Sequence, residues 1–455
     1  MGERSRGRTT AVPGTPADAG ARVPRRTLPT VPAADGVLAA DGPAPGPHPR
    51  RTPPHGGRPP APPPGPRGPG EAGRTARDRR PRSAAETGAG TTADTGPGAG
   101  AASGPARPRR FAARPPDGKT GMYAHIAEAI KEPDLICLQP DLVCVRFETM
   151  KIYSALGAVR HLLETGTVRP GDTLVDSSSG IYAHALALAC HRYGLKCHIV
   201  GSTTVDRTLR AQLEILGVTL EQVRPSKDLR LDQELRVRRI AEILEENPSY
   251  HWMQQYHDGI HYHGYRDVAQ TIHREVPAGP LTLVGGVGTG ASTGALSTYL
   301  REMGRDVTLV GVQPFGSVTF GAEHVSDPDM IIAGIGSAIE FRNVRHELYD
   351  RIHWVNFDHA LSGAVELLRT SGVFAGLSAG AAYLSAHWER RRDTSRTHVF
   401  IAADTGHRYV DSAYSKHTEA QDIDTLKPYE VTSLEELRHP WSTTSWSDVR
   451  AAQRN

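Results

Sequence analysis

Three glycine- and serine-rich turns carry the chemistry that this chain can be expected to do. The first is Gly285-Gly286-Val287-Gly288-Thr289-Gly290-Ala291-Ser292-Thr293-Gly294, set between a strand-like apolar run and a segment of helical period. Glycines there let successive backbone N–H groups converge on an anion, and the following helix N-terminus adds its dipole, so the loop reads as a phosphate cup. No lysine follows the glycines as in a Walker loop, and the spacing and later acid of a dinucleotide site are absent. A packing turn fits this loop equally well when it is taken alone. The second turn is Asp176-Ser177-Ser178-Ser179-Gly180-Ile181 and the third is Ala375-Gly376-Leu377-Ser378-Ala379-Gly380-Ala381. Each by itself suits a serine-capped helix with glycine for close approach. Together they aim hydroxyls and N–H groups at one crevice on the carboxyl edge of a parallel sheet, where such folds bind ligands.

The elements that must position these turns follow from the hydrophobic pattern. Residues 151–164 place Ile152, Leu156, Val159, Leu162 and Leu163 at helical spacing, with Gly166 to stop the turn. A strand at 173–176, a helix over about 181–193 and a strand at 198–200 make one βαβ unit. Helices at 206–216 and 232–246, a strand at 281–284, a helix near 293–303 and strands at 307–312 and 399–402 continue the alternation. That order predicts an α/β fold with mainly parallel sheets and helices on both faces. About 300 residues hold two such lobes.

Composition divides the chain before any motif does. Residues 1–115 hold 23 of the 35 prolines and one aromatic, Phe111, and cannot build a core. Nineteen arginines against eight acids give this stretch +11, and since the whole chain is +3 the rest carries −8. We read 1–115 as a disordered tail, with an arginine-rich arm for a polyanion or a start codon assigned too early as the other readings. A globular part of net −8 is a poor nucleic-acid surface. No run of about 18 apolar residues suggests a membrane span, and MGERSRGRTT lacks the apolar core of a secretory signal, so a cytoplasmic protein is expected. Cys137, Cys144, Cys190 and Cys197 read as small buried hydrophobes. His257, His261 and His263 form H-x3-H-x-H with His251 close by, but no Cys or acid completes a set at metal spacing, so no metal is expected. Beyond Ser415 the chain turns polar, with Trp441 and Trp446 as isolated anchors.

Seven motifs in one order resemble the fold-type II pyridoxal phosphate enzymes of the cysteine synthase and cystathionine β-synthase family. Arg146-Phe147-Glu148-Thr149-Met150-Lys151-Ile152 is similar to the segment that carries the family's Schiff-base lysine. Gly288-Thr289-Gly290-Ala291-Ser292 resembles the loop for the cofactor phosphate, and Gly376-Leu377-Ser378-Ala379-Gly380 the segment whose serine meets the pyridine nitrogen. Trp252-Met253-Gln254-Gln255-Tyr256 is similar to the glutamine-aromatic substrate segment. Val312-Gln313-Pro314, Gly334-Ile335-Gly336 and Asp404-Thr405-Gly406-His407-Arg408-Tyr409 also fall in family order.

The resemblance implies a two-lobed α/β/α catalytic region over residues 116–415, with a smaller mobile lobe at about 155–265 and a polar extension at 416–455. It implies pyridoxal 5'-phosphate, held by Lys151, Gly288, Thr289, Gly290, Ala291, Ser292 and Ser378, and a substrate site at Ser178, Ser179, Gly180 and Gln255. By the same likeness the enzyme is a homodimer taking an amino-acid substrate and a small nucleophile. The family's T-S-G-N-T-G loop appears here as Ser178-Ser179-Gly180-Ile181-Tyr182-Ala183, so an apolar side chain replaces the amide and a tyrosine the threonine. Tyr182 then reads either as a catalytic, carboxylate-contacting group or as a space filler. Glu148 reads as a solvated loop acid. The expected reaction is β-replacement through an aminoacrylate on an activated serine or cysteine, and the altered loop points away from ordinary cysteine synthesis toward nonproteinogenic amino acids. Cysteine synthesis, elimination by a carbon–sulfur lyase, and a non-catalytic binding protein are the rival readings.

Overall fold

The computed structural model describes residues 122–202, 205–224, 229–327 and 334–452, all within the unit Ala102–Asn455. The tail expected to be disordered lies outside these residues. The chain opens with α1 (Ile126–Ala129), β1 (Asp134–Gln139), β2 (Leu142–Arg146) and α2 (Lys151–Glu164). The small lobe follows with β3 (Thr173–Ser177), α3 (Ile181–Tyr193), β4 (Lys196–Ser202), α4 (Arg207–Ile215), β5 (Thr219–Val223), α5 (Leu229–Glu246) and β6 (His251–Trp252). A 3-10 turn, Gly259–Tyr265, leads into α6 (Arg266–Glu275) and back to the large lobe. There β7 (Leu281–Gly286), α7 (Ala291–Glu302), β8 (Val307–Gln313), β9 (Arg351–Val355), α8 (Phe357–Ser371), α9 (Leu377–Arg392) and β10 (Thr397–Ala402) alternate. The chain ends in β11 (Tyr429–Glu430), β12 (Trp441–Ser445) and α10 (Trp446–Ala452).

Two sheets result. The small one, ordered β5-β4-β3-β6, is parallel throughout. The large one runs β1-β2-β10-β7-β8-β9-β12-β11, with a parallel centre from β2 to β9 and antiparallel pairs at β1–β2 and β9–β12. Central strands are buried on both faces, as in Leu281, Leu283 and Val284 of β7, because helices cover both sides. The expected α/β architecture with mainly parallel sheets is what the structure has.

The segment after Ser415, read from its composition as a polar extension, is part of the large sheet. Trp441 is fully buried and its Nε1 donates to Nδ1 of His353 on β9 at 3.0 Å. Ser442, Thr443 and Thr444 are also buried, so the strand is interior although its residues are polar. Their hydroxyls are satisfied by backbone carbonyls, Thr443 donating to Ile352 and Thr444 to Val431.

The helix expected at 151–164 forms with those bounds, burying Ile152, Leu156, Val159 and Leu162 and ending before Gly166 at φ +71°. Its Gly157 meets Gly264 of the 3-10 turn backbone to backbone: a methyl on Gly157 would stand 2.5 Å from the Gly264 Cα, and one on Gly264 would run into the Tyr153 carbonyl. Overpacking of this kind costs about 1–3 kcal/mol. Gly264→Ala is therefore expected to lower unfolding stability by at least that amount in a urea titration. Gly259→Ala, which meets open space, should stay within about 0.5 kcal/mol of wild type.

Candidate active site

Lys151 is the first residue of α2, where the helix begins against the end of β10. The backbone before it is pinned there, Phe147 N–H donating to the Ala402 carbonyl at 2.9 Å and Met150 N–H to that of Ala403 at 2.8 Å. The residue keeps partial access to the cleft, yet burial brings its amine down to about 8. Among the described residues no carboxylate pairs with it. Nζ donates to Thr289 Oγ1 at 3.1 Å, which joins the lysine to the glycine loop 138 residues away.

That loop is a cradle built by the absence of side chains. A methyl on Gly286 would strike Ile335, one on Gly288 the Gly334 carbonyl, and one on Gly290 the Asn343 carbonyl. Gly290 also has φ +77°, which a side chain would strain. It caps α7 with no side chain of its own, and apart from a long 3.5 Å contact from Ala291 N–H to Thr289 Oγ1 the first amides of that helix are open to an anion among the described residues. The five expected residues, Gly288 through Ser292, thus form one surface opposite Lys151.

Ser378 lies at the far end of the same floor. It is the second residue of α9, buried, and its Cβ lies 3.7 Å from where a Gly286 methyl would be. A methyl on Gly376 would meet Asp404 Oδ1. Burial raises the Asp404 carboxyl to about 6; Tyr409 donates to Oδ2 at 2.8 Å, and Oδ1 has no hydrogen-bond partner among the described residues. An open helix terminus, a desolvated amine and a neutral hydroxyl in this order match the phosphate, carbonyl carbon and ring nitrogen of a pyridoxal cofactor. The residues present fit that group.

The substrate turn is braced from behind. Ser178 Oγ accepts from Gly180 N–H at 3.3 Å and Ala183 N–H at 3.1 Å, and Ser179 Oγ accepts from Ser202 N–H at 2.7 Å. Each hydroxyl therefore accepts here and keeps its own proton available to donate. Gln255 is less free than expected. Its Nε2 donates to the Ser177 carbonyl at 2.6 Å and its N–H to Asp176 Oδ2 at 3.0 Å. Tyr182 differs from the catalytic expectation. Its ring is buried edge-on to His261 at 5.6 Å, and its hydroxyl faces Asp176 without a well-formed hydrogen bond. Cys190 and Cys197 are its other close neighbours. As the second residue of α3, Tyr182 points into the small-lobe interior and packs behind the loop.

The histidines go separate ways. His261 is fully buried between Ser154 Oγ at 2.9 Å and the Met253 carbonyl at 2.8 Å, and burial takes it down to about 4. His263 stacks on His161, and His257 Nδ1 accepts from Arg342 N–H. Among the described residues no cluster of three His, Cys, Asp or Glu is arranged to hold a metal. Cys137 is exposed, unlike the other three cysteines, because it lies on the edge strand β1. The motif reading missed Asp176, Ser177, Ser154 and Arg236. The first two lay within a quoted turn, and the last sat in a helix that looked merely charged.

With this geometry in hand, the comparisons with known proteins are specific. Residues 120–404 match the model of the pyridoxal-phosphate dependent enzyme family, and the chain belongs to that family. It is an enzyme of the cysteine synthase type, with pyridoxal 5'-phosphate as cofactor. It is 31% identical over 259 residues to the N-(2-amino-2-carboxyethyl)-L-glutamate synthase of Ralstonia nicotianae, covering 55% of this chain and 74% of that one. It is 28% identical over 228 residues to the cysteine synthase of Haemophilus influenzae, covering 49% and 71%. The crystal structure of cysteine synthase from Entamoeba histolytica shares the fold with a TM-score of 0.59 at 18% identity, over 69% of this chain and 95% of that one.

The buried Asp404 carboxyl gives a signed pH effect. Because its pKa rises on folding from 3.8 to about 6, its contribution to stability is present below about pH 4 and is lost as pH climbs through 6. Asp404→Asn removes that loss. Its advantage over wild type in urea unfolding should grow between about pH 4 and pH 7, by up to about 3 kcal/mol at about 1.4 kcal/mol per pKa unit. A gap that stays flat over that range contradicts the assignment.

Proposed function

We propose that the enzyme catalyses β-replacement on a β-substituted alanine in the synthesis of a nonproteinogenic amino acid, with an amine as incoming nucleophile. The observation that carries this reading is the desolvated Lys151 amine held at Thr289 opposite an uncapped helix terminus, in a chain related to an enzyme that joins an aminocarboxyethyl group to the nitrogen of glutamate. When bound, the cofactor supplies an electron sink for charge at the substrate α-carbon.

The protein's own groups do the rest. Lys151, lowered toward neutral pH, takes and returns the α-proton at Nζ. The Ser292 and Thr293 amides at the start of α7 would hold the cofactor phosphate. Ser378 offers the ring nitrogen a neutral partner, which favours elimination and replacement over transamination. Ser178 and Ser179 turn hydroxyl protons toward the substrate carboxylate, and Gln255 holds their strand in place. The reading includes a cytoplasmic location and a homodimer, the latter as the family resemblance implies; among the described residues no helix is long and apolar enough to cross a membrane. Size-exclusion chromatography with light scattering checks the dimer.

The test mixes cofactor-loaded protein with O-acetyl-L-serine and either L-glutamate or sulfide, and follows products by mass spectrometry. An N-linked adduct is expected, with cysteine formed much more slowly. Lys151→Ala should lose the cofactor's visible band and at least about 1000-fold in rate. Cysteine formed at a competent rate would favour the cysteine synthase reading, which the Haemophilus influenzae relative also supports. Pyruvate as sole product would mean elimination without replacement. An absent visible band in wild type given the cofactor would mean a binding protein.

A further inference from the structure

The face of the large sheet that packs with α8 and α9 is apolar where Val284, Val310 and Phe400 are buried, and it turns polar two residues earlier on each of those strands. There His398 of β10, Thr282 of β7 and Thr308 of β8 stand side by side in register. Arg351 of β9, paired with Val310, and Ser445 of β12, paired with Arg351, continue the row. The last turn of α9 adds Glu389 and Arg392, and these residues line a cavity of about 340 Å3. That is room for a small organic molecule. Thr282 is four residues, or about 13 Å, along β7 from Gly286 of the phosphate cradle, so the cavity is at the opposite edge of the sheet from the catalytic cleft.

The acids of this cavity are already taken. Glu389 accepts from His353 Nε2 at 2.8 Å and from Arg392 Nη1 at 3.0 Å, Asp350 from Arg301 at 3.1 Å and Leu309 N–H at 2.7 Å, and Asp393 from Ser395 N–H at 3.0 Å. What remains unmet can donate. The Arg351 side chain is 17% exposed and has only Glu389 near it, at 3.6 Å and beyond hydrogen-bond reach. Burial outweighs that pairing and holds the guanidinium below the usual arginine pKa. His398 is 0% exposed, and although the Arg396 carbonyl is nearby, neither ring nitrogen makes a well-formed hydrogen bond among the described residues. One acid thus serves two guanidiniums, and a buried imidazole stands beside them without a partner. An apolar row would close the sheet edge at lower cost, whereas a planar guanidinium with hydroxyls and an imidazole beside it is suited to a carboxylate or a phosphate.

We propose that the cavity between the β7–β10 edge and the last turn of α9 is a second ligand site, in which Arg351, His398, Thr282 and Thr308 bind the oxyanion of a small metabolite apart from the catalytic centre. The oxyanion has two sources, a phosphate group or a carboxylate. The site is independent of which amino acid the enzyme makes.

The experiment titrates inorganic phosphate and malonate calorimetrically into full-length protein already loaded with cofactor, which fills the phosphate cradle. Wild type is expected to bind at least one probe with a Kd of about 1 mM or tighter. Arg351→Gln should weaken that binding by about tenfold or more, the loss of one charge-assisted contact, and Arg351→Lys should recover part of it. Thr308→Glu, at a half-buried position, puts a carboxylate into the cavity with the arginine still present and should abolish binding. It carries the test if Arg351→Gln does not fold, as judged by the urea midpoint and the visible cofactor band. Tighter binding of phosphate assigns the site to a phosphorylated metabolite, and tighter binding of malonate to a carboxylate. No binding of either probe by wild type, or binding that a folded Arg351→Gln or Thr308→Glu leaves unchanged, overturns the site.

Discussion

The site depends on one contact made without side chains, where Gly157 of α2 and Gly264 of the Gly259–Tyr265 turn touch backbone to backbone. With the turn pressed that close, its other residues reach three parts of the cleft. His261 bonds Ser154 one turn into α2, Tyr265 donates to the Met150 carbonyl just before Lys151, and Tyr262 donates to the Asn343 carbonyl at 2.7 Å. The Tyr262 hydroxyl also occupies the space that a side chain at Gly294 on α7 would need. Helices α2 and α7 and the wall at 334–343 are thus held by a single seven-residue turn. Rigid support of this kind keeps a reactive amine and an anion cradle in fixed relation before any ligand arrives.

Burial then sets the charge states. Lys151 is pushed toward neutrality and His261 is held neutral, while Asp176 and Asp404 are both raised to about 6. His261 has a settled tautomer: a carbonyl acceptor at Nε2 requires the proton there, which leaves Nδ1 to accept from Ser154. Asp176 takes N–H donors from Ser177, Gln255 and Trp252, so the carboxylate behind the substrate turn is tied to three points of the small lobe. The lobes are joined at the cleft margin by Gln233 to Ala338 and by Arg408, which donates twice to Asp206, the cap of α4. Both contacts are polar and lie where water meets the cleft, so they can exchange for solvent more readily than the packed interior can.

Some of this was legible in the residue order because it is local. Helical spacing in 151–164 needs only its own apolar residues, and a glycine loop between a strand and a helix leaves amides free wherever it folds. Composition misled where tertiary packing overrode it. Ser442, Thr443 and Thr444 look solvent-facing and are buried in β12, and Tyr182 sits in a substrate motif but is drawn inward beside His261. Arg236 was hidden for the opposite reason: in a helix with charge on most turns, nothing in the residue order marks a cation as buried.

The sequence by itself determined the fold class, a glycine loop between a strand and a helix, and the lysine at a helix start, since backbone geometry and apolar periodicity are properties of neighbouring residues. Only the tertiary structure decided that Lys151 is desolvated and meets Thr289, that Asp404 is left with an unpartnered oxygen, and that Arg236 turns to Ser177. Burial and hydrogen bonding at those positions are set by partners 59 to 138 residues away. Long-range packing sets those distances, and it leaves no trace in the spacing of nearby residues.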